Sequence, residues 1–256
     1  MVIVNAQNPC CNILVAGLER QDALKYMAAV YAAMEANPAI EFSHLAGDPI
    51  AYAKRFVNDQ GREADCSGLS SNDSACIFSR MTLRIRCMDA FAQEADPEEL
   101  CFDSALFLAD TITWHRWDKL LLYLRGRLSE NAPVVLLATD SDQVVNRILS
   151  QNESLSTASQ ILLAHDSFRS GRPASEYEMD VFDQTLRMRL SGDMDFELLN
   201  KKLALLHSKP HCRWFSCDVF QGQANEYGRY PMSSQSAYEE AFLWILSMMQ
   251  LYPYQA

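Results

Sequence analysis

The amino-acid sequence predicts an α/β fold, a mainly parallel central sheet flanked by helices. Three observations predict it. The runs "NILVA", "SALFLA" and "PVVLLA" are continuously apolar and have the length of fully buried strands. Between them lie segments whose apolar residues recur every three or four positions, as on one face of a helix. Strand and helix signals then alternate, and parallel strands need such crossovers.

Taken in order, Asn12 to Ala16 reads as a first buried strand. Residues 20 to 35 place Leu24, Met27, Ala28, Tyr31 and Met34 at helical spacing, and Asn37-Pro38 ends that helix. Ile40 to Leu45 reads as a short strand. Asn58 to Ser79 is polar, holds Gly61, Gly68 and the run Ser70-Ser71-Asn72-Asp73-Ser74, and predicts a loop insertion over 58–80. In "MTLRIRCMDA", Leu83, Ile85 and Cys87 alternate with Thr82, Arg84 and Arg86, the pattern of a half-buried strand. "SALFLAD" is a continuous apolar strand that runs to Asp110.

Trp114 to Leu128 predicts a helix with Trp117, Leu120, Leu121 and Leu124 on one side, followed by a buried strand over Pro133 to Ala138. Residues 143–208 read as a helical insertion. Its best segment opens at Ser191-Gly192-Asp193 and continues with Phe196, Leu199, Leu203 and Leu206. "CRWFSCD" supplies a last strand. Tyr238, Ala241, Phe242, Ile245, Met248 and Met249 make the apolar stripe of a closing helix. No repeat or linker divides the chain, so 1–256 is read as a single domain.

With 22 Lys and Arg against 33 Asp and Glu, the net charge of −11 argues against a nucleic-acid groove or an anionic membrane surface as main partner. No stretch resembles a signal peptide or is apolar for long enough to insert in a membrane. The expectation is an intracellular, cytoplasmic protein, with the nucleus left open. The eight cysteines include no C-x-x-C pair and do not cluster with the five histidines, so free thiols and no metal site are expected.

One stretch raises a question of chemistry. "GLERQDALK", residues 17 to 25, follows the first strand as a glycine, a short loop and then a helix, which is how many phosphate-binding loops begin. A phosphate cradle then needs a second glycine, a lysine and a hydroxyl. Those places hold Asp22, Ala23 and Leu24.

The order of such strand-end motifs resembles a Ras-like small GTPase, closest to the ADP-ribosylation-factor branch. That family begins I-L-x-V-G-L-D-x-x-G-K-T-T, beside Ile13-Leu14-Val15-Ala16-Gly17-Leu18-Glu19 here. Its D-x-G-G-Q motif is matched only at the ends of Asp89-Ala90-Phe91-Ala92-Gln93. The base-reading N-K-x-D falls on Thr139-Asp140-Ser141-Asp142, and the final guanine loop on Ser216-Cys217-Asp218. The resemblance implies a P-loop, small-GTPase-like fold over about two-thirds of the chain. "ILVAGLERQDAL" and "VVLLAT" are also similar in style to the centromere pseudo-GTPase CENP-M.

The departures all remove function. Ala23 and Leu24 supply neither charge nor metal ligand, and Asp22 puts a negative charge where phosphates would sit. Lys25 lies about 200° further round the helix than position 23 and does not replace the missing lysine. Gly17, Asp22, Ala23, Leu24, Asp89, Gln93, Thr139, Asp142 and Ser216 are therefore the positions of a dismantled nucleotide site, with Phe91 and Arg20 as side chains that cover it. No catalytic residue, cofactor, metal or nucleotide is expected. The reading is a non-catalytic pseudo-GTPase acting as scaffold or adaptor in a complex with protein partners.

The alternative is a divergent small GTPase that still binds guanine nucleotide as a switch. An unrelated α/β enzyme has no constellation to name its chemistry, and no G-x-S-x-G elbow is present. A receiver domain fails on the acidic pair expected after the first strand. Trp114, His115 and Arg116 read either as a partner-binding cluster or as a helix start that packs a tryptophan inward.

Overall fold

The computed structural model describes residues 9–38, 40–47, 73–78, 81–89, 100–109, 117–139, 175–190, 211–216 and 236–250, together with single residues 51, 146, 197 and 201. Seven strands form one sheet in the order β2-β3-β4-β1-β5-β6-β7. They are β1 (Cys10–Gly17), β2 (Phe42–Gly47), β3 (Asp73–Phe78), β4 (Met81–Asp89), β5 (Ser104–Ala109), β6 (Pro133–Ala138) and β7 (His211–Ser216). Among the described residues four helices accompany them: α1 (Arg20–Ala36), α2 (Asp118–Leu124), α3 (Glu176–Leu190) and α4 (Ser236–Met248). Strands β4, β1, β5, β6 and β7 are parallel, whereas β2 and β3 join as antiparallel additions. The sheet is thus mostly parallel but mixed.

Side-chain alternation assigns the layers. Phe215, Leu137 and Leu108 share one face by register, and there Phe215 meets Trp244 of α4 edge-on at 5.8 Å. α1 lies on that face too, touching β1, β4 and α4. Phe107 therefore points to the opposite face, where Trp117 at the start of α2 packs edge-on against it at 5.5 Å. β1 is consequently enclosed on both faces and both edges, and Ile13, Leu14, Val15 and Ala16 have no exposed surface. α1 is buried on most sides, which explains Ala23, Ala28, Ala29 and Ala33: small side chains let the sheet and α4 approach together.

Several sequence expectations need correction. The last part of the expected 58–80 loop, Asp73–Phe78, is strand β3. Its polar start is satisfied across the pair, because Arg86 donates to both Asp73 oxygens at 2.6 and 2.8 Å. β4 alternates as expected, with Leu83, Ile85 and Cys87 buried and Arg84 and Arg86 half-buried, and only Thr82 and Met88 near its ends depart from the pattern by being covered as well. Of the helix expected over Trp114 to Leu128, Asp118–Leu124 is α-helical, the chain leaves the helix after Leu124, and 114–116 lie outside the described residues. Gly126, at φ +81, turns the chain, and Leu128 pairs with Phe102 instead. The short strand expected at Ile40 runs from Phe42 to Gly47. Met248 is 39% exposed, so it does not complete the apolar stripe of α4. Of the 143–208 insertion, α3 is helical as expected; the segment from Ser191 to Leu206 lies outside the described residues apart from 197 and 201.

α3 does an uncommon job. It lies along the outer edge of β7, where a strand would otherwise offer backbone groups to another chain. Asp183 accepts the Trp214 N–H at 2.8 Å, and Arg187 donates to the Cys212 carbonyl at 2.7 Å. The two side chains also pair with each other at 2.9 Å across one helical turn. An acid and a base thus imitate the donor and acceptor of a neighbouring strand. Asp183→Ala is expected to lower stability by about 1–3 kcal/mol, read as a shift of the urea midpoint at unchanged slope.

A second outcome concerns Glu239, on the first turn of α4. It is 9% exposed, and its Oε2 finds no partner among the described residues. Its other oxygen meets the Asn37 amide at 3.5 Å. Burial pushes the carboxyl above its ordinary value, and the Asn37 contact only partly opposes this. The folded state therefore holds this proton more tightly than the unfolded chain, so its stabilising effect is present at low pH and lost as pH rises through the raised pKa. Glu239→Gln should be more stable than wild type at pH 7, with the gain vanishing near pH 4 in a series of thermal melts.

Candidate functional site

In open α/β sheets ligands bind beyond the carboxyl ends of the parallel strands, where neighbouring connections leave in opposite directions. Here that place is between β1, whose chain departs toward β4, and β5, whose chain departs toward β6. Four of the sequence-derived positions, Gly17, Asp89, Thr139 and Ser216, fall along this edge. Gly17 ends β1 and is the register partner of Asp89, which ends β4. Thr139 follows β6, and Ser216 ends β7 beside Ala138. The two groups are separated by β5, so Gly17 and Thr139 lie about 10 Å apart across two strand spacings. Gln93, Asp142, Trp114, His115 and Arg116 lie outside the described residues, as do Phe91 and Asp140.

The turn at Gly17 decides what this edge can hold. Only Leu18 and Glu19 separate β1 from α1, whereas a phosphate-wrapping loop needs about five residues of non-helical backbone. Glu19 is the N-cap, and the Asp22 carboxylate turns back to accept the Glu19 N–H at 3.1 Å. The charge that the sequence places against a phosphate is thus spent on the helix's own first turn. The signal was present in the sequence as an acid three residues after the cap.

Gly17 is fixed by closeness. A Cβ there would stand 2.7 Å from both Asp22 Cβ and the Glu19 carbonyl oxygen. Ala23 and Leu24, at the places where a phosphate loop would carry its lysine and hydroxyl, have no exposed surface and belong to the core. Lys25 is itself only 6% exposed. Restoring Lys at 23 would bury an ammonium, and Thr at 24 would exchange packed methyls for a hydroxyl.

Arg20, the first residue of α1, lies close enough to Cys87 of β4 for its charge to act on that thiol. Burial is the larger influence and pushes the Cys87 thiol up to about 12. The cysteine is therefore an inert core residue rather than a nucleophile. Among the described residues no group of three or more His, Cys, Asp or Glu side chains could hold a metal ion, and no helix is long and apolar enough to cross a membrane.

Comparison with protein-family models finds no match. No curated protein is significantly similar to the chain.

Gly17→Ala is expected to destabilise the protein by about 1–3 kcal/mol through overpacking, measured by denaturant titration. The triple variant Asp22→Gly, Ala23→Lys, Leu24→Thr should lose at least about 3 kcal/mol and gain no guanine-specific binding.

Proposed function

We propose that this chain is a non-catalytic, small-GTPase-like α/β domain that serves as a scaffold or adaptor subunit in a protein complex. The observation that carries the reading is the β1–α1 turn. Its two-residue length, the Asp22 carboxylate bound back on Glu19, and the burial of Ala23 and Leu24 leave this turn without the lysine and the hydroxyl by which a phosphate loop holds its ligand. A parallel sheet kept after its ligand chemistry is gone is a rigid frame on which surfaces can be displayed.

The surface of α3 supports the same reading. Tyr177 and Met188 are 65% and 55% exposed. Eleven residues of helix return to nearly the same direction, so both lie on one outward stripe. Large exposed apolar side chains on one stripe are what a partner-binding helix offers. Leu122 of α2, at 68%, is a further candidate.

Two measurements test the proposal. Calorimetric titration with GTP and with GDP, with and without magnesium, should show no micromolar binding. Such binding would favour the alternative, a divergent guanine-nucleotide switch, for which Asp89, Thr139 and Ser216 would remain at the right edge. For the scaffold role, Tyr177→Glu with Met188→Glu should release copurifying partners while changing stability by no more than about 0.5 kcal/mol. Retention of every partner by the double variant would count against α3 as the docking surface.

A further inference from the structure

One stretch of this acidic chain runs against its overall charge. Between Trp114 and Leu128 stand Arg116, Lys119, Arg125 and Arg127 against a single acid, Asp118, in a protein of net charge −11. Arg116 lies outside the described residues. The other three cations belong to α2 and the turn that ends it.

α2 turns Leu120, Leu121 and Leu124 inward. Lys119, Leu122 and Arg125 are all exposed, and Leu122, at 68%, is the most open large apolar side chain among the described residues. A step of three residues turns a helix through about 300°, so the three form one slanting row within about 120° of arc. Each stands about 4.5 Å further along the axis than the last. Leu122 is therefore flanked by a cation on either side. Among the described residues neither Lys119 nor Arg125 has an acid within ion-pair distance. Lys119 also stands in the first turn, where the helix dipole disfavours a cation, so helix stability does not account for it. The row is fixed in place. The Arg125 N–H donates to the carbonyls of Leu121 and Leu122, both at 3.2 Å, and Arg127 stacks 4.4 Å over the Tyr123 ring. Gly126, at φ +81, has open space where a side chain would stand, which leaves Arg125 accessible from that side.

We propose that this row docks an acidic segment of a partner protein, with an apolar residue seated on Leu122 and carboxylates meeting Lys119 and Arg125. An extended chain rises about 3.3 Å per residue, so carboxylates about three residues apart span the roughly 9 Å between the two cations. Charge selects this occupant. The rest of the chain is acidic and repels a broad anionic face such as a membrane or a nucleic acid, whereas a short peptide touches only the row and stays within a Debye length of about 8 Å of its charges. The site rests on the scaffold reading, for which it names a class of partner.

The test selects short random peptides displayed on phage against the full chain, then titrates the enriched peptides by fluorescence anisotropy. The expected result is peptides that carry an apolar residue among acids. Leu122→Ser, and the double variant Lys119→Glu with Arg125→Glu, should each bind them about ten-fold more weakly. Binding should also weaken between about 0.1 M and 1 M salt as screening tightens. Versions of the peptides with lysine in place of the acids should prefer the double variant to wild type, a gain that misfolding cannot imitate. Enrichment of peptides without acids, no enrichment at all, or affinities unmoved by these variants would overturn the proposal. So would tighter binding of anionic lipid vesicles or of a single-stranded oligonucleotide through the same three residues. Any of these results leaves the scaffold reading standing, because the nucleotide titrations and the α3 variants test that separately.

Discussion

Everything in this fold leans on the enclosure of β1. It is the middle strand of the seven, with parallel neighbours β4 and β5 on its two edges, α1 over one face and the α2 layer on the other side. A strand in that position has no room for a polar side chain between Ile13 and Ala16, and none is present. The same enclosure sets the turn that follows. α1 must descend at once onto β1 and β4, so the chain reverses in two residues and the helix begins before a ligand loop can form. Closeness at Gly17 and burial at Ala23 and Leu24 are consequences of that descent.

Two arginines of the sheet are held by pairing. Arg213, 8% exposed, pairs with Asp180 of α3 and lies 5.8 Å from the rings of both Phe215 and Trp244. Arg86 and Asp73 close the β3–β4 pair in a two-pronged bond, a geometry that only guanidinium and carboxylate share. Such pairs add little net stability compared with apolar residues of the same size, but losing one partner strands the other. Their value lies in register, since each fixes one strand or helix against its neighbour.

The parts of the fold that were legible in the sequence are those written in apolar continuity. β1, β5 and β6 contain the apolar runs Ile13–Ala16, Ala105–Ala109 and Pro133–Ala138, and α1 ends where Asn37-Pro38 forbids more helix. β3 was not legible, because Asp73-Ser74 looks like the end of a polar loop until Arg86 opposite it is known. The end of α2 was missed for a related reason: Leu128 keeps the helical spacing but is claimed by Phe102 from a distant stretch. At the candidate site the sequence named the strand-end positions and read Asp22 as a repelling charge. What it could not supply was the direction of that carboxylate, which depends on where the helix starts. The pairing of Asp183 and Arg187 with β7 was equally hidden, being a contact between side chains and a strand edge far along the chain.

The position of β7 in the chain has a consequence for synthesis on the ribosome. β6 is buried at all six positions, and its outer edge is covered only when β7 arrives. At about 5–20 residues per second, the 72 residues between the two strands take about 4–14 s to emerge. For that interval a fully apolar strand waits with one side open, longer than hairpins or helices need to form. α3 emerges inside the interval, ahead of the strand whose edge it later covers. The nascent chain therefore carries its own edge cover before the last strand exists, and the exposed period falls on β6, where a chaperone that recognises extended apolar segments would bind.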